Sequence, residues 1–489
     1  MCRPMKRHLT GVGQGPSKEK GLTLNLRQIK ESGLVSIFNR LMKTSWLTHL
    51  DARVPRYTSY PTAPHFHAGI TGKDVDEWQS SLDLAKPLSL YIHVPFCAKL
   101  CWYCGCNAEI VKSDAPVAEY LDLLLGEMAR TAALLPGRMK VSHLHFGGGS
   151  PNMLSLPAFH RVMDAVEARF DFLPDAERAI ELDPRGLDLD RVKAYATRGI
   201  DRASIGVQDL DPEVQKAIHR IQPLATVARA VDRLRGNGID AINFDLLYGL
   251  PLQTVATIER TVEASLALDP ARIALFGYAH VPWMKKYQKA LERYTLPGQA
   301  ERAALAQAAR TSLEARYTPI GIDHFARPDD SMAIAAQNGT LRRNFQGYTT
   351  DRAETLIAFG PSAISEMPQG YAQNEPDLAL WSKQAAAGQS SVHRGIALTD
   401  EDRLRRAVIE RLMCDLAVDL EEVADRFKVH PVVFLLALDR LEDYAEDGMV
   451  AIDGWKIRVP DEARIAVRSI ASAFDEWLKT DHARHAAAV

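Results

Sequence analysis

Between Leu88 and Tyr278 six short apolar, β-branched runs alternate with stretches of helical spacing. The runs are Leu88–Val94, Val141–Phe146, Ala179–Asp183, Ala203–Val207, Ile242–Leu247 and Ile273–Tyr278. Between them, Glu119–Leu135 (apolar at Leu121, Leu124, Leu125 and Met128), Leu156–Phe170, Leu189–Thr197, Pro212–His219 and Ala225–Leu234 repeat apolar residues every three or four positions. That is the pattern of helices with one buried face. Gly199 and Gly236 follow two of them as expected C-terminal caps. Strands alternating with helices over short connections imply a parallel sheet with right-handed crossovers. Six beats are too few to close an eight-stranded barrel. The expected fold class is α/β: an open three-quarter (βα)6 barrel, preceded by an extended arm and followed by a small, mostly helical C-terminal domain. In such sheets, sites form where strands end at their C-terminal edge.

The first strand ends in the most chemically loaded stretch of the chain. In Leu88–Asn107, LSLYIHVPFCAKLCWYCGCN, Pro95 breaks the strand, and Cys97, Cys101, Cys104 and Cys106 follow on the loop. The whole protein has only six cysteines. The spacing C-x3-C-x2-C supplies three thiolates from one turn-rich loop, which suits three corners of a cubane iron–sulfur cluster and leaves one iron free for another ligand. A zinc site needs a second pair or histidines elsewhere, and Cys2 and Cys414 form no such pair. A disulfide is disfavoured in a reducing compartment.

Composition excludes other classes. Hydrophobic residues at 46% and charged residues at 25% describe an ordinary globular protein. A net charge of −3 gives no bulk attraction to nucleic acid or an anionic membrane. No apolar run approaches the length of a membrane span. The basic start lacks a secretory pattern, so cytoplasmic location is expected.

Four divisions follow. Residues 1–41 read as a poorly ordered N-terminal extension, 42–87 as an arm, 88–370 as the partial barrel, and 371–489 as a C-terminal lid domain with helices and a β-hairpin. Within the arm, Pro55, Pro61 and Pro64 forbid a helix, while Arg56, Tyr57, Tyr60 and His65 suit binding better than idling. Near the C-terminus, Glu401–Leu416 and Leu420–Phe427 read as helices, Gly448–Pro460 as a hairpin turning at Asp453–Gly454, and Ala463–Leu478 as a closing helix.

The cysteine spacing after a first strand resembles the radical S-adenosylmethionine (SAM) enzymes. The fuller text from Tyr91, YIHVPFCAKLCWYCGCN, resembles their oxygen-independent coproporphyrinogen III oxidase branch, where a fourth cysteine follows at the position of Cys106. RYTSYPTA, from Arg56 to Ala63, is similar to that branch's N-terminal arm, which lies across the active-site mouth. The likeness runs from about Arg53 to the C-terminus.

The resemblance implies a [4Fe–4S] cluster on Cys97, Cys101 and Cys104, and two bound SAM molecules. Their contacts map to Tyr91, Tyr103, Gly148, Gly149, Ser150, Glu181, Gln208, Arg220, Asp245, Ala279 and Ile364. Tyr103 stands where the family usually has Phe. Tyr91, His93 and Cys106 carry over as catalytic. The implied chemistry begins with one electron from the reduced cluster, which cleaves SAM to methionine and a 5′-deoxyadenosyl radical. That radical takes hydrogen from a propionate β-carbon of coproporphyrinogen III, and loss of CO2 and an electron leaves a vinyl group, on two propionates in all. The product is protoporphyrinogen IX, in haem biosynthesis. Arg56, Lys99, Arg185, Arg327, Arg342 and Arg343 are the candidate cations for the tetracarboxylate substrate. An external electron donor such as a flavodoxin or ferredoxin, and a monomeric state, are expected. The rival readings are a haem chaperone of the same superfamily, whose members typically lack the arm and the fourth cysteine, and an iron–sulfur electron carrier, which leaves unexplained the residues at the strand ends after the cysteine loop: Gly147 to Ser150, Glu181 and Asp183, Gln208, Asp245 and Ala279.

Overall fold

In β1, Leu88–Val94, side chains alternate between two environments. Leu88, Leu90, Ile92 and Val94 are wholly buried against the helical layer, and Ser89, Tyr91 and His93 turn the other way, as a period of two demands. The same division recurs along β2 (Lys140–Gly148), β3 (Asp171–Leu182), β4 (Arg202–Gln208) and β5 (Ala241–Tyr248). Leu144, Phe146, Ile180, Ile205 and Phe244 join the core. Glu181, Ser204, Gln208 and Asp245 face an inner cleft instead. β6, Arg272–Gly277, completes the run.

This computed structural model describes residues 54–478 together with Trp46 and His49. The expected 1–41 extension lies outside the described residues, as does most of the arm before Val54.

β1 to β6 pair side by side and parallel in chain order. Helices Ala115–Leu134, Leu156–Arg169, Leu189–Thr197 and Leu224–Arg235 fill the connections. Val255–Ala267 does the same between β5 and β6, started by a Thr254 cap. Aromatic edges lock this layer: Phe159 lies 5.6 Å from Phe146 and 4.8 Å from Tyr195. Truncating Leu90 there would cost about 2–5 kcal/mol.

The sheet extends beyond six strands, to twelve. β7 (Thr318–Ile320) and β8 (His324–Ala326) add antiparallel beyond β6. On the other side, β9 (Leu356–Phe359) lies parallel to β1. β10 (Ile364–Met367), β11 (Gly370–Asn374) and β12 (Val392–Ala397) then follow antiparallel, so the sheet continues through residue 370 to Ala397. β9 has only four residues and no amphipathic helix before it, so the strand–helix rhythm does not announce it.

Asp400–Asp415 starts on a Thr399–Asp402 capping box and packs with a three-stranded sheet of Ala417–Asp419, Lys456–Arg458 and Ala451–Asp453. The hairpin turns at Gly454–Trp455, one residue later than expected, because Gly454 supplies the left-handed φ of 59°. The expected closing helix is broken into three short segments, Asp461–Ala466, Val467–Ala471 and Ser472–Phe474. Gly236 caps its helix in right-handed conformation, and Gly238 takes the left-handed turn at φ 83°.

From Val54 to Phe66 the arm is extended, apart from a short turn at Ala63–His65, and it then forms a helix over Gly72–Ser80. Arg468 donates to the carbonyls of Val54 and Pro55, Tyr57 O–H donates to Asp475 at 3.0 Å, and Tyr60 Oη accepts from the Glu476 N–H at 3.0 Å. Tyr57 and Tyr60 are thus packing residues against the C-terminal segment. Tyr60 does not close the mouth, contrary to the expectation from its motif.

Candidate active site

The loop after β1 is held at both ends and in the middle. Phe96–Cys97 bridges to Glu109–Ile110, and the Cys104 N–H donates to the Cys101 carbonyl at 3.2 Å. Cys97, Cys101, Cys104 and Cys106 open together on a cleft of about 440 Å³. The same cleft receives Gly148, Gly149 and Ser150 after β2, Glu181 and Asp183 at the end of β3, Gln208 from β4, Asp245 from β5 and Ala279 after β6. Tyr103, Arg220, Arg56, Lys99 and Arg185 also line it. Larger crevices of about 840 and 600 Å³ border the Asp400–Asp415 helix. Their arginines Arg342, Arg406 and Arg411 are ion-paired and their one thiol, Cys414, is deeply buried, so the chemistry points to the smaller cleft.

Three sequence-derived site residues stand outside it. Ile364 lies on β10, half-buried against the cluster of Phe66, Tyr371 and Ile396. Tyr91 and His93 form a layer behind the lining. The Tyr91 hydroxyl is 3.2 Å from His93 Nδ1, and His93 Nε2 is 3.0 Å from the Asn107 carbonyl. A carbonyl only accepts, so Nε2 carries the proton and Nδ1 accepts from Tyr91. Burial lowers the His93 pKa and keeps the ring neutral. Tyr91 stacks on His145 at 5.8 Å, and His145 Nε2 meets Glu181 Oε1 at 3.1 Å, which links this layer to the cleft. Of the candidate substrate cations, Arg327, Arg342 and Arg343 are likewise absent from the lining. Arg327 pairs with Asp269 and Asp329, Arg342 pairs with Glu410, and Arg343 donates to the Arg56 carbonyl.

The residues present fit an iron–sulfur cluster with a small polar ligand beside it. Among the described residues no three His, Cys, Asp or Glu side chains converge on one ion position. A cubane gives each thiolate its own iron, so the thiols need not converge. Two guanidiniums face Cys101 Sγ, Arg220 Nη1 at 3.5 Å and Arg185 Nη2 at 3.6 Å. Hydrogen bonding from the Cys106 side draws Cys104 down to about 6, towards the thiolate a ligand must be. Burial pushes Cys97 up to about 12. Burial also works against Asp183, yet the Arg185 hydrogen bonds and the Arg220 charge overcome it and hold the carboxyl at about 2. Asp245, buried and near Glu181, is pushed up to about 6. Beside the thiols, Gly148 adopts φ 110°, and a Cβ on Gly149 would meet the Phe96 carbonyl at 2.5 Å. The two glycines let the end of β2 pack directly on His93, Val94 and Phe96 beside the thiol loop.

A clamp on the loop had no sequence signal. Lys285 Nζ donates to the Cys106 carbonyl at 2.8 Å, Tyr287 O–H to Cys104 O at 2.8 Å, and Gln288 Nε2 to Tyr103 O at 2.9 Å. These donors come from an aperiodic stretch after β6.

Comparison with known proteins agrees with this geometry. The family described as "Radical SAM superfamily" matches residues 91–264, and "HemN C-terminal domain" matches residues 398–465. A Bradyrhizobium diazoefficiens protein named oxygen-independent coproporphyrinogen III oxidase is 47% identical over 90% of this chain and 98% of its own length. One of the same name from Paracoccus denitrificans is 44% identical over 87% of this chain and 95% of its own. The solved structure of coproporphyrinogen III oxidase (HemN) from Escherichia coli, described as a radical SAM enzyme, superposes with a TM-score of 0.83 at 37% identity, covering 86% of this chain and 98% of that one. With relatives this similar along nearly their whole length, the chain belongs to the oxygen-independent coproporphyrinogen III oxidase family of the radical SAM superfamily.

Proposed function

We propose that the chain is an oxygen-independent coproporphyrinogen III oxidase, which converts two propionates of coproporphyrinogen III to vinyls. The observation that carries this reading is the three-thiol loop opening on a cleft that Arg56, Lys99 and Arg185 also line. Cys97, Cys101 and Cys104 would hold a [4Fe–4S] cluster, and the strand ends would hold SAM in two copies. When bound, the cluster and SAM supply one-electron chemistry that removes hydrogen from an unactivated carbon.

The chain's own work is binding, orientation and exclusion of water. Gly148, Gly149 and Ser150 offer backbone and hydroxyl to the polar end of SAM, and Glu181 and Asp245 accept from its ammonium and hydroxyls. Gln208 and the main chain at Ala279 add neutral contacts, and the Tyr103 ring gives a face for stacking. Arg220 stays cationic: burial works against its charge, but Tyr103, Asp183 and Cys101 more than offset it. It suits a SAM carboxylate. Ile364 reaches the same ligands only indirectly, through β10. The Tyr91–His93 pair backs the site, and Cys106, outside the three-thiol set, acts on substrate. Arg56, Lys99 and Arg185 meet propionates at the mouth, with the arm beyond and the C-terminal part as a lid. We further infer a monomer in the cytoplasm, reduced by an external flavodoxin or ferredoxin. Among the described residues, no helix is long and apolar enough to cross a membrane.

The test is anaerobic reconstitution followed by SAM cleavage with and without coproporphyrinogen III. Cleavage should rise with substrate, and CO2 should appear with a divinyl product. Stoichiometric haem binding with no decarboxylation would decide for a haem chaperone.

A further inference from the structure

Trp102 lies between two of the cluster thiols in sequence, yet it turns away from the cleft. Cys101, Tyr103 and Cys104 line the cavity, and Trp102 does not. Its indole is stacked on His219, with ring centroids 4.9 Å apart and planes 14° from parallel. The Arg293 guanidinium also covers it, 4.4 Å from the ring centre. This stack is fastened to the loop. The Trp102 N–H donates to the Ile218 carbonyl at 3.0 Å, His219 Nδ1 lies 2.7 Å from the Leu100 carbonyl, and His219 takes the left-handed φ of 57° to reach it.

The stack faces outward. His219 and Arg293 are exposed, as are Lys99 and Lys289 on the flanking segments, and Ile221 next to the stack is 62% exposed. The nearby carboxylates are already engaged, Glu213 by Lys216 at 2.6 Å and Glu292 by His280 at 3.4 Å. The half-buried indole packs inward on Val214, Ile218 and Leu291, but an exposed cation–π contact contributes only about 0.5–1 kcal/mol, so stability accounts for the ring and little for the arginine over it. An aromatic ring with arginine beside it at the surface is the composition of a binding face. The chain as a whole carries a net charge of −3, so attraction of an acidic protein has to be local.

We propose that this outer face of the cluster loop, centred on Trp102, His219 and Arg293, docks a small acidic one-electron carrier protein. The proposal rests on the oxidase reading, which requires an external reductant. One electron leaves the carrier, which is oxidised by one equivalent, and enters the cluster, which is reduced by one. No bond forms or breaks at this step. The indole is the chain neighbour of Cys101, so a carrier seated on it comes within one residue of a thiol proposed to hold the cluster. Electron-transfer encounters sit at the small end of interfaces, below about 1,200 Å², so a small patch suffices.

The experiment uses the full chain with its cluster reconstituted, reduced either by flavodoxin hydroquinone or by dithionite. Cluster reduction is followed by bleaching of its visible absorbance. With wild type, the flavodoxin-driven rate should fall as salt rises. Arg293→Glu should slow that rate at least tenfold at low salt and flatten its salt dependence, while Arg293→Lys stays within about twofold of wild type. Dithionite-driven reduction and SAM cleavage should change less than about twofold in both variants. A flavodoxin-driven rate in Arg293→Glu equal to wild type overturns the docking surface. A wild type that carries its cluster but cleaves no SAM with dithionite overturns the oxidase reading, and the docking proposal with it.

Discussion

Arg185 reaches the Cys101 sulfur at 3.6 Å through Nη2 while Asp183 grips the same guanidinium at 2.6 and 2.9 Å. A carboxylate that aims an arginine at a thiol proposed to hold the cluster bears on redox chemistry, because hydrogen bonds to sulfur set cluster potential. A charged hydrogen bond worth about 1.5 kcal/mol corresponds to roughly tenfold in one-electron reduction, or about 59 mV. Arg185→Gln should therefore retain its iron and move the midpoint potential negative by about that amount. An EPR-monitored redox titration checks it. An unmoved potential would show that Arg185 serves only substrate.

Loss of any one of the three spaced thiols should remove the cluster. Cys97→Ala, Cys101→Ala and Cys104→Ala should each lose the visible absorbance and most of the iron after reconstitution. Cys106→Ser should keep both and lose turnover. Its backbone N–H, 3.4 Å from Cys104 Sγ, survives the change. Iron analysis beside a product assay separates the two outcomes, and a Cys106→Ser protein without iron would make that residue a ligand.

Arg56 is the arm residue that lines the cleft, with Nη2 3.4 Å from the Gly277 carbonyl. Arg56→Gln should leave folding and the cluster intact and raise the KM for coproporphyrinogen III roughly 10- to 100-fold, as expected for one lost charged contact of about 1.5–3 kcal/mol. Deleting the arm is a poorer test, since Tyr57 and Tyr60 are buried against the C-terminal segment. A KM unchanged by Arg56→Gln would place the propionates elsewhere.

Asp209, wholly buried beyond Gln208, has its carboxyl raised from 3.8 to about 6, by burial first; hydrogen bonds from Gln253, Asp211 and Thr261 offset part of the effect. The folded chain then holds this proton more tightly than the unfolded chain between those values. The associated stability is fully present below about pH 4 and is lost as pH rises to about 6. Denaturant titrations of wild type and Asp209→Asn should give a difference that changes by roughly 2 kcal/mol between pH 4 and pH 7. A flat difference would show that the network tolerates the charge.

What the sequence determined by itself is periodic or local. The spacing of Cys97, Cys101 and Cys104 is fixed within eight residues of one loop, and the apolar runs put Glu181, Gln208 and Asp245 at or near strand ends before any packing is known. Tertiary structure decided what no local pattern carries. Arg185 meets Cys101 across 84 residues, and Gln288 meets the Tyr103 carbonyl across 185. Such contacts depend on where crossovers return each strand end, and a loop residue has no period to betray its partner. The same reason separates Arg56 from Tyr60: they are four residues apart in one extended arm, yet one lines the cleft and the other is buried against Glu476. Their surroundings come from distant segments packed on either side, so neighbouring arm residues that read alike in sequence end in different environments.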